Sequence, residues 1–157
     1  MVLIPDKVLK LIKQQQILIV GTTSKGICNI SPRTSFRLDE DGAVYWLELF
    51  RHKTFRNLQK NAWCTIAVFD KKRLVGYQLK GKASLVSDRK IKSQIKLEII
   101  DRLTRLHKQR ILRQSKGPDV IKFVPQIVFS LNPNELSDSA LMISADIKSF
   151  RASDLRW

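Results

Sequence analysis

The chain alternates between short, β-rich apolar runs and tight polar turns, and this alternation limits its fold more than any other feature. Seven such runs occur, at 17–22, 27–30, 35–38, 44–49, 63–69, 77–86 and 120–131. Polar residues and glycine separate several of them, as at 24–26, 39–42 and 70–73. Short strands at regular spacing are typical of small antiparallel barrels, so we predict a mainly β fold with flanking helices.

Helical patterns flank and interrupt these strands. Asp6 caps a first predicted helix that ends near Gln15, and 53–61 forms a short helix between two strands. The last apolar run is expected to bend at Pro125, because proline has no backbone N–H for strand pairing. Since the sequence shows no internal repeat and no clear linker, we predict a single domain over 1–157.

A basic segment at about 88–116 holds much of the positive charge. The 157 residues include 29 Lys and Arg against 14 Asp and Glu, a formal net charge of +15. The pattern of this segment predicts one long helix from Asp88 to Gly117-Pro118, with His107 at its surface. We favour a helix docked on the barrel. A nucleic-acid-binding module that uses this helix is the alternative, although no aromatic residues are interleaved with the cations for single strands to stack on.

Two cysteines, Cys28 and Cys64, fall in predicted strands and form no C-x-x-C pair, so the sequence predicts no zinc site. We expect both to be buried, reduced thiols, as in a cytoplasmic protein. No long apolar segment indicates a signal peptide or a membrane span, and we expect no membrane partner.

The junction after the fourth apolar run carries a cationic cluster. Arg51, His52 and Lys53 follow this run directly, and Thr54 stands at the predicted start of the short helix. Cationic side chains, a hydroxyl and the free N–H groups at the positive end of a helix are the groups that bind phosphate. From these residues alone, two interpretations stay open: a phosphate site, and a polar turn capped by Thr54.

Three segments in a fixed order carry a resemblance to a known family. They are Asn29-Ile30-Ser31-Pro32-Arg33-Thr34-Ser35, His52-Lys53-Thr54 with Asn57-Leu58, and the segment 76–83. Together they resemble the pyridoxamine 5′-phosphate oxidase-like family of FMN-binding split β-barrels, over about 7–86 with a looser fit after Val120. The resemblance implies a six-stranded antiparallel split β-barrel, and a homodimer that holds FMN in the groove between its subunits.

The resemblance also implies which residues contact the flavin. The segment 29–35 would line the ring and the ribityl chain, and 52–54 would meet the phosphate. The implied cofactor-binding residues are Asn29, Ser31, Pro32, Arg33, Thr34, Ser35, Arg51, His52, Lys53, Thr54, Asn57 and Lys80. Among them, Lys53, Arg33 and Arg51 offer positive charge to a phosphate dianion.

The predicted chemistry belongs to the flavin. The sequence shows no Ser-His-Asp set and no suggestive pair of carboxylates, so the protein would bind, orient and tune the cofactor. A break in strand pairing at Ser31-Pro32 would free backbone groups for the ring. The basic C-terminal motif of the pyridoxamine oxidases has no match, and oxidation of pyridoxamine phosphate is not predicted. We predict an FMN-dependent oxidoreductase or electron carrier, with a related split-barrel protein that uses a deazaflavin or haem as the alternative.

Overall fold

The computed structural model of the chain describes residues 4–113, 117–135, 139–145 and 147. In these ranges the chain forms four helices and eight strands, and the strands belong to one sheet. In chain order, the elements are α1 (Asp6–Gln15), β1 (Leu18–Ser24), β2 (Ile27–Arg33), β3 (Phe36–Leu38), β4 (Val44–Glu48), α2 (Lys53–Lys60), β5 (Trp63–Asp70), β6 (Val75–Leu85), α3 (Arg89–Asp101), α4 (Arg105–Leu112), β7 (Asp119–Ser130) and β8 (Met142–Ile143). None of the described helices is long and apolar enough to cross a membrane.

The strands form a curled antiparallel sheet. Their order is β2-β1-β5-β6-β7-β4-β3, and the two-residue β8 pairs with β7. This arrangement confirms the predicted mainly β fold, an antiparallel split barrel with flanking helices. The main path holds seven strands rather than the six that the resemblance implies. These seven strands correspond to the seven apolar runs of the sequence.

The main hydrophobic core lies between one face of the sheet and helix α1. In β5 the buried residues Cys64, Ile66 and Val68 alternate with more exposed neighbours, because successive side chains of a strand point to opposite faces. Helix α1 packs its apolar side on this core and buries Val8 and Ile12 completely. The alternation in the sequence therefore determines which face of each strand points inward.

Strand β4 is buried along its whole length, because a second apolar cluster covers its other face. Ile95 and Ile99 of α3 and Ile111 of α4 pack there with Tyr45 and Leu47 of β4. The basic segment is thus docked on the sheet through its apolar side, as the sequence pattern favours.

The basic segment forms two helices rather than the one long helix that the sequence predicts. Helix α3 ends at Asp101 and α4 begins at Arg105. Between them, the Thr104 hydroxyl accepts a hydrogen bond from the His107 backbone N–H at 3.5 Å. A threonine that caps a new helix offers the backbone an alternative to continuing the previous one, which explains the break. Residues 114–116 of the predicted helix lie outside the described residues.

Strand β2 continues through the position where the sequence predicts a break. It runs over seven residues, with Pro32 opposite Ile19 of β1, so the interruption expected at Ser31-Pro32 is wrong. Strand β2 stands at one end of the sheet order. A proline is tolerated there because an edge strand needs its N–H groups on one side only.

The two cysteines have different surroundings. Cys28 lies on β2 and is exposed, so the prediction that it is buried is wrong. Cys28 pairs with Thr23 on the outer face of the sheet, opposite the face that carries the main core, which explains its exposure. Cys64 is buried as predicted, and burial raises the pKa of its thiol to about 12.

Gly81 lies where two backbones come very close. The pairing of β6 with β7 shifts its register between Lys80 and Gly81, opposite Pro125, where the sequence predicts a bend. A Cβ atom at Gly81 would lie 2.2 Å from the carbonyl oxygen of Val124 and 2.8 Å from the Cα of Pro125. Both are backbone atoms, so no side chain fits at this position without moving β7.

We expect Gly81→Ala to lower the free energy of unfolding by about 2–4 kcal/mol, because the new methyl group displaces the backbone of β7. Gly21→Ala is the matched control within the same sheet, since its nearest neighbour would be 3.7 Å from the new Cβ. That control should change the stability by less than about 1 kcal/mol. Chemical denaturation measures both variants, and equal losses would contradict the close approach at Gly81.

Candidate functional site

The start of helix α2 concentrates positive charge. Its N-cap residue is His52, which makes no side-chain capping bond, and its first turn contains no acidic residue. The first N–H groups of any helix lack partners within the helix and form the positive end of its dipole. Lys53 and Arg56 add two cations at this end. Positive side chains are unfavourable beside a helix N-terminus unless an anion binds there.

A cleft of about 430 Å³ opens at this helix start. Its described lining residues are Asn29, Ser31, Arg33, Glu48, Phe50, His52, Lys53, Thr54 and Arg56. Strand β2 supplies the first three, the end of β4 and the following loop supply the next three, and α2 supplies the rest. The structure therefore brings together two of the three segments on which the sequence prediction depends.

The Thr54 hydroxyl joins these two segments. It is buried, with 4% of the residue exposed. Asn29 Nδ2 donates a hydrogen bond to Thr54 Oγ1 at 3.1 Å, and Ser31 Oγ lies 3.0 Å from the same oxygen. These contacts attach the N-terminal turn of α2 to the neighbouring strand. Thr54 thus serves the cleft through its hydroxyl and does not act as the N-cap of the helix.

Arg33 and Glu48 form an ion pair in the cleft. Arg33 Nη2 lies 2.8 Å from Glu48 Oε2, and only 5% of Glu48 is exposed. The Nε atom of Arg33 is also buried and has no hydrogen-bond partner in the described part of the chain. Arg33 therefore lines the cleft, but its charge is already neutralised by a carboxylate of the protein.

Arg51 and Asn57 point to other partners. The Arg51 guanidinium binds Asp119 at 3.0 Å and lies over the ring of Phe55, so it does not line the cleft. Asn57 Nδ2 donates to Thr22 Oγ1 at 3.1 Å and attaches α2 to β1 from behind. Asn57 thus lies behind the start of α2, and the Arg51 side chain is held by Asp119 outside the lining of the cleft.

Thr34 and Ser35 line a separate groove under helix α4, with a volume of about 440 Å³. The other described lining residues are Leu49, Phe50, His107, Arg110, Ile111 and Arg113. Phe50 belongs to both the groove and the cleft, and its ring stacks on His52 with 5.7 Å between the ring centroids. His107 is exposed, as the sequence predicts, but it also borders this apolar groove.

Lys80 lies at a third hollow, of about 320 Å³, on the outer face of β1, β2, β5 and β6. Its Nζ atom is 5.3 Å from the centroid of the Phe129 ring. Asn29 lines both this hollow and the cleft, so the two are neighbours across β2. Pro32 is exposed on the same strand and lines none of the three.

Sequence reasoning missed three charged residues of this region, namely Glu48, Arg56 and Asp119. The sequence does contain a signal for Glu48, because it is a carboxylate inside an otherwise apolar run. Such a residue requires a cationic partner when it is buried. Arg56 follows Lys53 by three residues and therefore lies on the same side of the helix. Asp119 gave no local signal, because its partners come from distant parts of the chain.

Asp119 connects the loop before α2 with helix α3. Lys92 Nζ lies 2.7 Å from Asp119 Oδ1, and Arg51 binds the other oxygen. Burial opposes ionisation of Asp119, but the hydrogen bonds and charges of Lys92 and Arg51 outweigh it and hold its pKa below the ordinary value. Among the described residues, no group of three or more His, Cys, Asp or Glu side chains is placed to hold a metal ion.

Comparison of sequences assigns the chain to a family. Residues 4–132 match the family model of pyridoxamine 5′-phosphate oxidase. Because this match spans most of the chain, the protein belongs to the pyridoxamine 5′-phosphate oxidase family, as the resemblance predicts. No match to the chain was found among curated proteins.

Solved structures share the fold. HupZ of Group A Streptococcus is 26% identical, with a TM-score of 0.68 over 83% of this chain and 96% of HupZ. HutZ, the heme storage protein from Vibrio cholerae, is 18% identical, with a TM-score of 0.64 over 79% of this chain and 92% of HutZ. A Clostridium acetobutylicum protein related to general stress protein 26 is 20% identical, with a TM-score of 0.66 over 91% of this chain and 98% of that protein. At the identities of the last two, the likeness shows the fold alone.

We expect Asp119→Asn to lower the free energy of unfolding at pH 7 by about 2 kcal/mol, because Lys92 and Arg51 lose their anion. A carboxyl group whose pKa is lowered by folding stabilises the protein above its unfolded pKa, and this contribution disappears as the pH falls through the folded value. The variant should therefore lose less stability than the wild type when the pH falls from about 5 to about 2. Denaturation at several pH values measures this, with Glu40→Gln in an exposed turn as the control. Parallel pH profiles of the variant and the wild type would contradict the assignment.

Proposed function

We propose that the protein is an FMN-binding flavoprotein that acts as an oxidoreductase or electron carrier, with the flavin phosphate at the N-terminus of α2. One observation carries this proposal. A helix start, two cations and a pair of linked hydroxyl groups converge in one cleft of about 430 Å³. Membership in the pyridoxamine 5′-phosphate oxidase family supports it further.

The residues of the cleft fit the chemistry of FMN. Lys53 and Arg56 offer charge to a phosphate dianion, and the first N–H groups of α2 offer donors. The volume of the cleft lies within the range typical of small-molecule sites. The buried Nε atom of Arg33, which lacks a described partner, is a donor for an acceptor atom of the ligand. When bound, FMN would supply the redox chemistry, and the protein would bind and orient it.

We propose further that two copies of the chain pair through the outer face of β1 and β2. Ile30 is 74% exposed and Ile19 is 38% exposed, and they lie on the same face of the sheet. Exposed apolar patches on a soluble domain mark interaction surfaces. The hollow at Lys80 lies on this face and adjoins the cleft through Asn29, so a second copy bound here would cover the edge of the flavin site.

Haem is the second candidate ligand, and the groove under α4 favours it. His107 offers an imidazole, a common metal ligand, beside the apolar side chains of Leu49 and Phe50. Arg110 and Arg113 offer charge to carboxylate groups. HutZ, which shares the fold, is described as a heme storage protein. A deazaflavin would use the same cleft as FMN, and the mass of the extracted ligand distinguishes these cases.

We expect Ile30→Glu to weaken the dimer at least tenfold, because a symmetric interface would bury the new charge twice. Leu97→Glu is the matched control, since Leu97 is similarly exposed on α3, a helix whose main strand contacts are with β3, β4 and β7. Sedimentation at several protein concentrations measures the dissociation constant. A monomeric wild type, or a variant that dimerises like the wild type, would contradict the proposed interface.

We expect Lys53→Ala to weaken FMN binding by about tenfold to a hundredfold, because the phosphate loses a charged partner. Riboflavin has no phosphate, so its affinity should change by less than about threefold. Lys60→Ala removes the same side chain from the other end of α2 and should leave both affinities unchanged. Quenching of flavin fluorescence measures all of these affinities.

Two outcomes of this experiment separate the candidates. Equal losses for FMN and riboflavin in Lys53→Ala would show that the phosphate does not lie at the start of α2. A purified protein that ignores flavin but develops a Soret band with haem, and loses it in His107→Ala, would replace the flavin proposal with the haem candidate.

A further inference from the structure

Glu48 is a carboxylate in a cleft that is otherwise suited to anions. It ends β4, is 95% buried by residue area, and lines the cleft beside Lys53 and Thr54. A buried carboxylate in such a place opposes the binding of any anion. Glu48 also neutralises Arg33, whose Nη2 atom lies 2.8 Å away, so this arginine adds no net positive charge for a ligand. Glu48 therefore needs an explanation that the phosphate site alone does not give.

The charges of the described lining residues form a definite balance. With His52 counted as neutral, three cations, Arg33, Lys53 and Arg56, stand against the single carboxylate of Glu48, which leaves a formal charge of +2. A phosphate monoester near neutral pH carries about −1.5 to −2, which matches this balance. A terminal or inorganic diphosphate carries about −3 or more near neutral pH, which is more negative charge than the cleft would compensate. Without Glu48, the same cleft would present +3 and would favour the diphosphate.

The neighbouring ion pairs preserve this balance. Strands β4 and β7 are in register so that Glu48 stands directly opposite Asp119. Asp119 binds both Arg51 and Lys92, and it thereby holds the Arg51 side chain outside the cleft. Arg51 is therefore not available to neutralise Glu48, and Glu48 pairs with Arg33 alone among the described residues. Glu48 thus pairs with a cation of the cleft, whereas Asp119 pairs with two cations at the contact with α3.

We propose that Glu48 determines ligand specificity by setting the charge that the cleft accepts, so that it selects a phosphate monoester over a diphosphate. This inference rests on the proposed phosphate site at the start of α2. It gives a reason why a mononucleotide such as FMN would bind in preference to ligands that end in a terminal diphosphate, which carries more negative charge. The residue acts through charge, and it need not contact the phosphate itself.

The test uses the full chain and two inorganic probes, phosphate and diphosphate. Titrations followed by backbone amide NMR give a dissociation constant for each probe and report whether Lys53 and Thr54 respond. We expect Glu48→Gln, which keeps the shape of the side chain, to raise the preference for diphosphate over phosphate by about tenfold. Both probes should bind more tightly, and diphosphate should gain more because it carries more charge.

Three further variants separate charge from structure. Glu40→Gln changes the net charge of the protein equally but lies in an exposed turn, so it should leave the preference unchanged. Glu48→Asp keeps the charge and should keep the preference. The double variant Arg33→Gln with Glu48→Gln removes both members of the pair and restores a formal charge of +2, so its preference should equal that of the wild type.

The outcomes distinguish this inference from the function on which it rests. If the wild type binds neither probe at Lys53 and Thr54, the phosphate site itself is wrong. If both probes bind there but Glu48→Gln leaves their ratio unchanged, the role of Glu48 is overturned and the phosphate site stands. Should Glu48→Gln fail to fold, the double variant decides, because a ratio different from that of the wild type would overturn the proposal.

Discussion

The contact on which the candidate site depends is the one between the Thr54 hydroxyl and strand β2. Asn29 and Ser31 hold this hydroxyl from the strand side, and Thr54 lies in the first turn of α2. Because the hydroxyl is buried, losing either partner would leave a polar group unsatisfied away from water. The position and direction of the helix start are thereby fixed relative to the sheet. This junction therefore also positions Lys53 and Arg56, which lie on the same helix and line the cleft.

Most of the fold could be predicted from the sequence, because the patterns that mark its strands are local. Apolar runs and turn residues mark all seven strands of the main path, and the alternation within β5 shows which side is buried. The exceptions have tertiary causes. The Thr104 cap starts a second helix at a point from which Ile111 of α4 packs against β4, and Pro32 stays in a strand because β2 has no neighbour on one side. Neither fact is contained in a short window of sequence.

Only part of the candidate site could be predicted from the sequence. The sequence placed Lys53, Thr54 and Ser31 together, because strand-to-helix junctions and hydroxyl groups leave a recognisable pattern. It did not show that Arg33 and Arg51 are already bound by carboxylates. Those pairings span 15 and 68 positions of the chain, so they depend on how distant strands pair. A count of cations along the sequence thus overstates the charge that a ligand would meet.

The two ends of the sheet have a consequence for self-association. An open sheet edge is a template on which a foreign strand can add, which leads to fibres. Here one end is β2, whose Pro32 has no N–H to donate, and the other is β3, which spans three residues. Both ends are poor templates for backbone pairing with another chain. Among the described strands, addition of a foreign strand at either end of the sheet is therefore disfavoured, so contacts between copies of the chain would use side-chain surfaces rather than backbone pairing.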